Sequence, residues 1–109
     1  MANRLKGDVT AEIAGRQLTL RIDMNAMCEL EGVLGRPARQ ILEDMNAPQP
    51  FMRDIRAMLH AALRRHHPEL SLMDAGDMLD QDGPAARTAI MEALSAAIPA
   101  SGDGPEKKP

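Results

Sequence analysis

The chain of 109 residues has room for one ordinary domain and not for two. Its 13 lysines and arginines against 16 aspartates and glutamates leave a formal charge of −3, which counts against a nucleic-acid coat driven by the overall field and leaves room for a local basic patch. The single cysteine, Cys28, excludes an intrachain disulfide and a cysteine-built metal site.

The hydrophobic fraction is an ordinary 44%, but it contains nine methionines, one phenylalanine and no tyrosine or tryptophan. A core of Met, Leu, Ile and Ala adapts readily and specifies one fit less sharply, so modest stability is expected, with a partner completing part of the packing. No long apolar stretch follows the basic start MANRLKG, and no apolar run of roughly 18 residues occurs. The expectation is cytoplasmic synthesis without a membrane span.

Residues 8–22 alternate. Val9, Ala11 and Ile13, then Leu18, Leu20 and Ile22, face one way, while Thr10, Glu12, Thr19 and Arg21 face the other, around the turn signal AGRQ. This predicts a β-hairpin with one covered face, whose free edge is a route to homo-oligomerisation or strand addition.

Asp23 is placed to cap a helix from about Met24 to Gly35, with Met27, Leu30 and Leu34 inward, and Met24 and Cys28 beside them. Cys28 reads as a core cysteine. Glu31, between the apolar positions, reads as a rim glutamate whose stem covers the core. Pro37 opens a short helix over about 37–46 that uses Ala38, Ile41, Leu42 and Met45.

The stretch 50–67, PFMRDIRAMLHAALRRHH, is the longest clean helical pattern. Phe51, Met52, Ile55, Met58, Leu59, Ala62, Leu63 and His66 fall in an arc of roughly 140°, between a permissive Pro50 and a terminating Pro68. Opposite them Arg53, Arg56, His60, Arg64 and His67 lie within about 80° and form a basic stripe, the candidate protein-docking face. His66 is thereby assigned inward.

Ser71 and Asp74 have capping-box spacing for a helix over 71–81, with Leu72, Ala75 and Leu79 inside and Gly76 as a tolerated glycine or a point of close approach. A last helix is expected from Pro84 to Ile98, with Ile90, Met91, Leu94, Ala97 and Ile98 inward and Pro99 ending it. Residues 100–109 lack an apolar anchor and read as a disordered tail. The fold class is therefore α+β: an N-terminal hairpin and four or five short helices in one domain, 1–99, followed by a tail.

No catalytic, cofactor or metal set emerges. His60 and His67 are seven apart rather than four, and a third ligand is not near them. The aspartates of LMDAGDMLDQDG fail calcium-loop spacing, Ser71, Ser95 and Ser101 lie in no nucleophile elbow, and GVLGRP has no phosphate-loop lysine.

Taken together, NRLKGDVTAEIAGRQLTLRIDMNAMCELEGVLG, then MRDIRAMLHAALRRHHPELS with MDAGDML, resemble the tail-assembly chaperone-like proteins of gene transfer agents and siphophage tails, sometimes catalogued as tail-tube proteins. The resemblance covers roughly residues 3–98. It implies a hairpin turn at Gly15, a buried strand at Leu18 and Leu20, a first-helix centre at Leu30 and Glu31, and a later helix–loop–helix through Leu63, Pro68, Leu70, Ala75 and Gly76.

It also implies a non-enzymatic role in tail assembly and virion morphogenesis of a bacteriophage, prophage or gene transfer agent. The partners would be the tape-measure protein and the tail-tube protein, and no catalytic residue is carried over. Two alternatives stay open: a structural tail component retained in the particle, and a small regulatory protein binding nucleic acid through the stripe at 53–67. The net negative charge and the lack of stacking aromatics count against the second.

Overall fold

The computed structural model describes residues 7–97. In chain order they form β1 (Asp8–Ile13), β2 (Arg16–Arg21), α1 (Met24–Leu34), α2 (Ala38–Met45), α3 (Met52–Leu63) and α4 (Leu72–Ala97). The α+β architecture is the expected one, a two-stranded antiparallel sheet followed by helices. Ile98, Pro99 and the expected tail at 100–109 lie outside the described residues.

The hairpin pairs Val9 with Leu20, Ala11 with Leu18 and Ile13 with Arg16. Only Ala14 and Gly15 join the strands, with φ of +53° and +80°. Two successive positive φ values mark a type I′ turn, whose twist matches that of the strands it connects. The two-residue side-chain period then puts Val9, Ile13, Leu18 and Leu20 on one face, all buried, with Ile13, Leu18 and Leu20 in the core shared with α3 and α4. Such a hairpin has no independent stability, so the helices hold it in place.

Local signals set the next elements. Asp23 accepts the Ala26 amide at 3.0 Å through Oδ1, and Gly35 ends α1 in the left-handed region at φ +71°, its N–H reaching the Glu31 carbonyl. Glu31 is exposed, and it does more than cover the core: its Oε2 accepts the first α2 amide, that of Ala38, at 2.7 Å. This bond supplies the cap that Pro37, the residue before α2, lacks in its side chain. Cys28 is not a core cysteine. Ala26 and Leu30 mark the inward line of α1, and Cys28 is rotated about 160° from Leu30, into solvent.

The expected helix at 50–67 is shorter than its pattern. Phe51 takes the extended N-cap position and the last helical residue is Leu63. Phe51 and Met52, expected inward, are 57% and 71% exposed because they precede the packed turns. At the far end Pro68 restricts His67, and its ring would clash with the Arg64 carbonyl, so residues 64–66 become a turn. Between these limits α3 is buried on several sides: Ala57 and Ala61 join Ile55, Met58, Leu59, Ala62 and Leu63 in the core.

The capping box forms as its spacing predicts, with Ser71 N–H donating to Asp74 Oδ2 at 2.8 Å and Asp74 N–H to Ser71 Oγ at 3.0 Å. The expected helices at 71–81 and 84–98 are the two limbs of α4. They meet at Asp82, whose φ of −152° and ψ of 61° are non-helical. Pro84 contributes to the break, because it has no N–H to give the preceding turn and fits only the first turn of the second limb.

Ala75, Met78, Ala86, Ala89, Ile90, Ala93 and Leu94 are the buried residues of α4, and Met91, expected inward, is 51% exposed. Small alanines let the second limb approach β1 closely, which leaves a longer side chain at 91 on the outside. Met58 and Met78 enter the core, whereas Met24, Met52, Met73 and Met91 are at least half exposed. Much of the methionine content is therefore surface.

Candidate functional site

The five residues of the expected docking stripe do not form one surface. Because α3 stops at Leu63, the helical spacing that aligned them ends there. Arg64 instead pairs with Glu29 of α1 at 3.5 Å, in a hollow of about 240 Å3 where Arg65 and Arg21 also meet Asp23 at 3.3 and 3.6 Å. The charges in that hollow are largely matched within the chain.

The two histidines exchange their expected positions. His66, assigned inward by periodicity, is exposed, and its Nε2 donates to Asp8 Oδ1 at 3.1 Å. His67, assigned to the stripe, is the more covered of the two, and its Nε2 accepts the Thr19 N–H at 3.0 Å. Thr19 lies on the outer edge of β2, so an imidazole closes one position of the hairpin edge that the sequence left open.

Arg53 and Arg56 remain together. They line a groove of about 460 Å3 between α3 and α4, with Ile55 and Leu79 as its apolar floor, exposed Met52 at one end and Gly76 in its wall. A Cβ on Gly76 would stand 3.2 Å from Arg56 Cδ, so glycine here is the close-approach point that lets the arginine lie along α4. Arg87, from beyond the kink, completes the lining beside Asp80. Among the described residues Arg56 and Arg87 make no ion pair within 4.0 Å. Neither Arg87 nor Asp80 belonged to the expected site, because both lie on α4 and meet α3 only in the folded chain, Arg87 from beyond the bend at Asp82.

Next to this groove is a polar knot that sequence reasoning did not find. Arg36 binds Asp44 of α2 and Asp54 of α3. Asp54 is the only polar residue fully buried among those described, and its second oxygen, Oδ2, has no partner. Hydrogen bonding to Asp54 holds the Arg36 guanidinium even more firmly protonated than usual, against the effect of burial, with Asp44 adding to it. Phe51 carries Arg36 on one approach and Arg53 on another, at 5.9 and 5.7 Å from its ring centre. The knot fixes the N-terminus of α3, and with it the position of Arg53 and Met52 in the groove.

His60 is half-buried on α3, between the groove and the His67 end. Cys28 has no recorded hydrogen bond, and no three His, Cys, Asp or Glu side chains among the described residues converge as a metal set. No described helix is long and apolar enough to cross a membrane.

Of the residues singled out for the later half, Leu63, Leu70 and Ala75 are buried and Gly76 packs on Arg56. Comparison with protein-family models, with curated proteins and with solved structures finds no match to this chain.

Proposed function

We propose that the protein is a non-enzymatic tail-morphogenesis factor of a bacteriophage, prophage or gene transfer agent, which holds the tape-measure protein, the tail-tube protein or both during assembly in the cytoplasm. The resemblance over roughly residues 3–98 motivates this reading. The structural observation that supports it most is the groove between α3 and α4, where Arg56 and Arg87 make no ion pair among the described residues and line an apolar floor. A factor that holds another protein needs such a surface and no reactive group.

The chaperone form is favoured over a tube subunit on physical grounds. Closing a tube takes extensive sheet, and the described residues contain one sheet of two strands. Surface methionines such as Met52 and Met73 also suit a factor that accepts a changing partner surface.

Co-expression and pull-down with the tape-measure and tube proteins, compared across free protein, assembly intermediates and mature particles, tests the proposal. Association followed by release before maturation is expected. Retention in stoichiometric rings would make the protein a structural component instead, and no association removes both readings. Salt-sensitive binding of DNA or RNA that is lost when Arg53, Arg56 and Arg64 are neutralised would replace them with a regulatory role.

A further inference from the structure

The groove also carries information about what fills it. Its floor is apolar, formed by Ile55 and Leu79 with Met52 at one end, and its basic lining is Arg53, Arg56 and Arg87 against a single carboxylate, Asp80. This local excess of positive charge stands in a chain whose formal charge is −3. The neighbouring hollow between α1 and α3, equally rich in arginine, is matched by Asp23 and Glu29. Arg53 reaches Asp54 at 4.0 Å, but net charge and surface pairing among the described residues do not account for Arg56 and Arg87.

The walls are two helices, the groove is partly open to solvent, and none of the buried unpartnered polar atoms belongs to its lining. A site for a small polar ligand needs fixed, converging polar groups. Long arginines over an apolar trough suit a larger occupant whose apolar side chains fill the floor and whose carboxylates meet the guanidinium forks.

We propose that the groove between α3 and α4 binds an amphipathic helix of a partner protein, with an apolar stripe seated on Ile55 and Leu79 and flanking carboxylates paired with Arg56 and Arg87. The inference rests on the docking reading of this face, and not on which protein supplies the helix. A negatively charged flank is the specific requirement. A basic helix would meet three guanidinium groups and be repelled.

The test uses the full-length protein and synthetic peptides of about 18 residues, long enough to hold a helix. One peptide carries leucines at i, i+4 and i+7 with glutamates on both flanks, the second replaces every glutamate with lysine, and the third scrambles the order of the first. Binding is followed by fluorescence anisotropy and by amide shifts in a 15N-labelled sample at low salt. The acidic amphipathic peptide is expected to bind at least about tenfold more tightly than either control, and to move amides at 52–56, 76–80 and 87. Arg56→Glu with Arg87→Glu should reverse the preference toward the lysine peptide.

Both arginines are exposed, so the fold should survive; if the double variant unfolds, Met52→Ser, which removes apolar contact at an exposed position, should weaken the acidic peptide while the shift map stays in place. Equal binding of the scrambled or lysine peptide, shifts centred on the hairpin, or no binding by the acidic peptide overturns the proposal. So does a single-stranded oligonucleotide that binds the groove as tightly as the acidic peptide. Because no tail protein is present, failure here leaves the tape-measure pull-down to be decided by its own result.

Discussion

His67 Nε2 accepts the Thr19 main-chain N–H at 3.0 Å, a bond available only while the ring is neutral. Burial moves the His67 pKa down from its usual value; Glu69 opposes this, and the charges of His66 and Arg16 add to it. A base with a lowered folded pKa contributes stability that is complete above its unfolded pKa of about 6.5 and declines as pH falls from there toward the folded value. Urea midpoints should therefore fall as the pH drops below about 6.5, and His67→Gln, which can keep an acceptor at this position, should flatten that segment.

Asp8 acts in a different window. Burial raises its carboxyl pKa, but hydrogen bonds and charge from His66 and Arg21 outweigh this and leave it below the usual value. Its contribution is present above about pH 3.9 and disappears below it. In Asp8→Asn the acid-side loss should shrink while the His67 segment stays unchanged, a separation readable in one pH series.

The second bond that fixes the hairpin runs from the Ala14 N–H to Asp82 Oδ2, 3.0 Å long and spanning 68 positions of sequence. Asp82→Ala leaves the part-buried amide without its acceptor and should cost about 1–2 kcal/mol by urea unfolding. Asp82→Asn keeps an oxygen there and should recover at least half. Equal losses in the two variants would show that the kink, rather than the bond, depends on the side chain.

Ala14 holds φ at +53°, which an L-residue with a Cβ adopts at a cost of about 1 kcal/mol. Ala14→Asn would give the turn the Asn-Gly pair that type I′ geometry favours, and it keeps the N–H that Asp82 uses. A gain of about 0.5–1 kcal/mol is expected in the same unfolding assay.

Arg36 and Asp54 call for a paired experiment. Arg36→Met leaves the fully buried Asp54 carboxylate with only the exposed Arg53 at 4.0 Å and should destabilise by about 3 kcal/mol or more. Adding Asp54→Leu removes the stranded charge and should restore much of the loss. If the double variant is as unstable as the sum of the two single variants, the residues are not coupled.

What could be read from the sequence was mostly local. The hairpin, the Asp23 cap, Gly35 and the Ser71–Asp74 box each lie within a few residues of the atoms they bind, so spacing alone revealed them. His66 and His67 were exchanged because a periodicity carried past Leu63 cannot register that Pro68 shapes the chain before it. Cys28 and Met91 were misplaced because which flank of an apolar sector is covered depends on the neighbouring element. Arg36, Asp54 and Arg87 act across elements, and their significance appears only when α2, α3 and both limbs of α4 are assembled. The site was half visible for the same reason: Arg53 and Arg56 share a helix, whereas the other wall of their groove arrives with a later one.

The link between Ala14 and Asp82 also has a consequence for synthesis. The hairpin leaves the ribosome before the helices that cover it, and Asp82, which holds its turn, follows Ala14 by 68 positions. At roughly 5–20 residues per second the nascent turn waits about 3–14 s for its Asp82 acceptor, and the apolar face is fully covered only once α4 has joined α3. During that interval its apolar face is incompletely covered, and the rate at which α4 is translated, rather than the strength of any one contact, sets how long the newborn chain is exposed to aggregation.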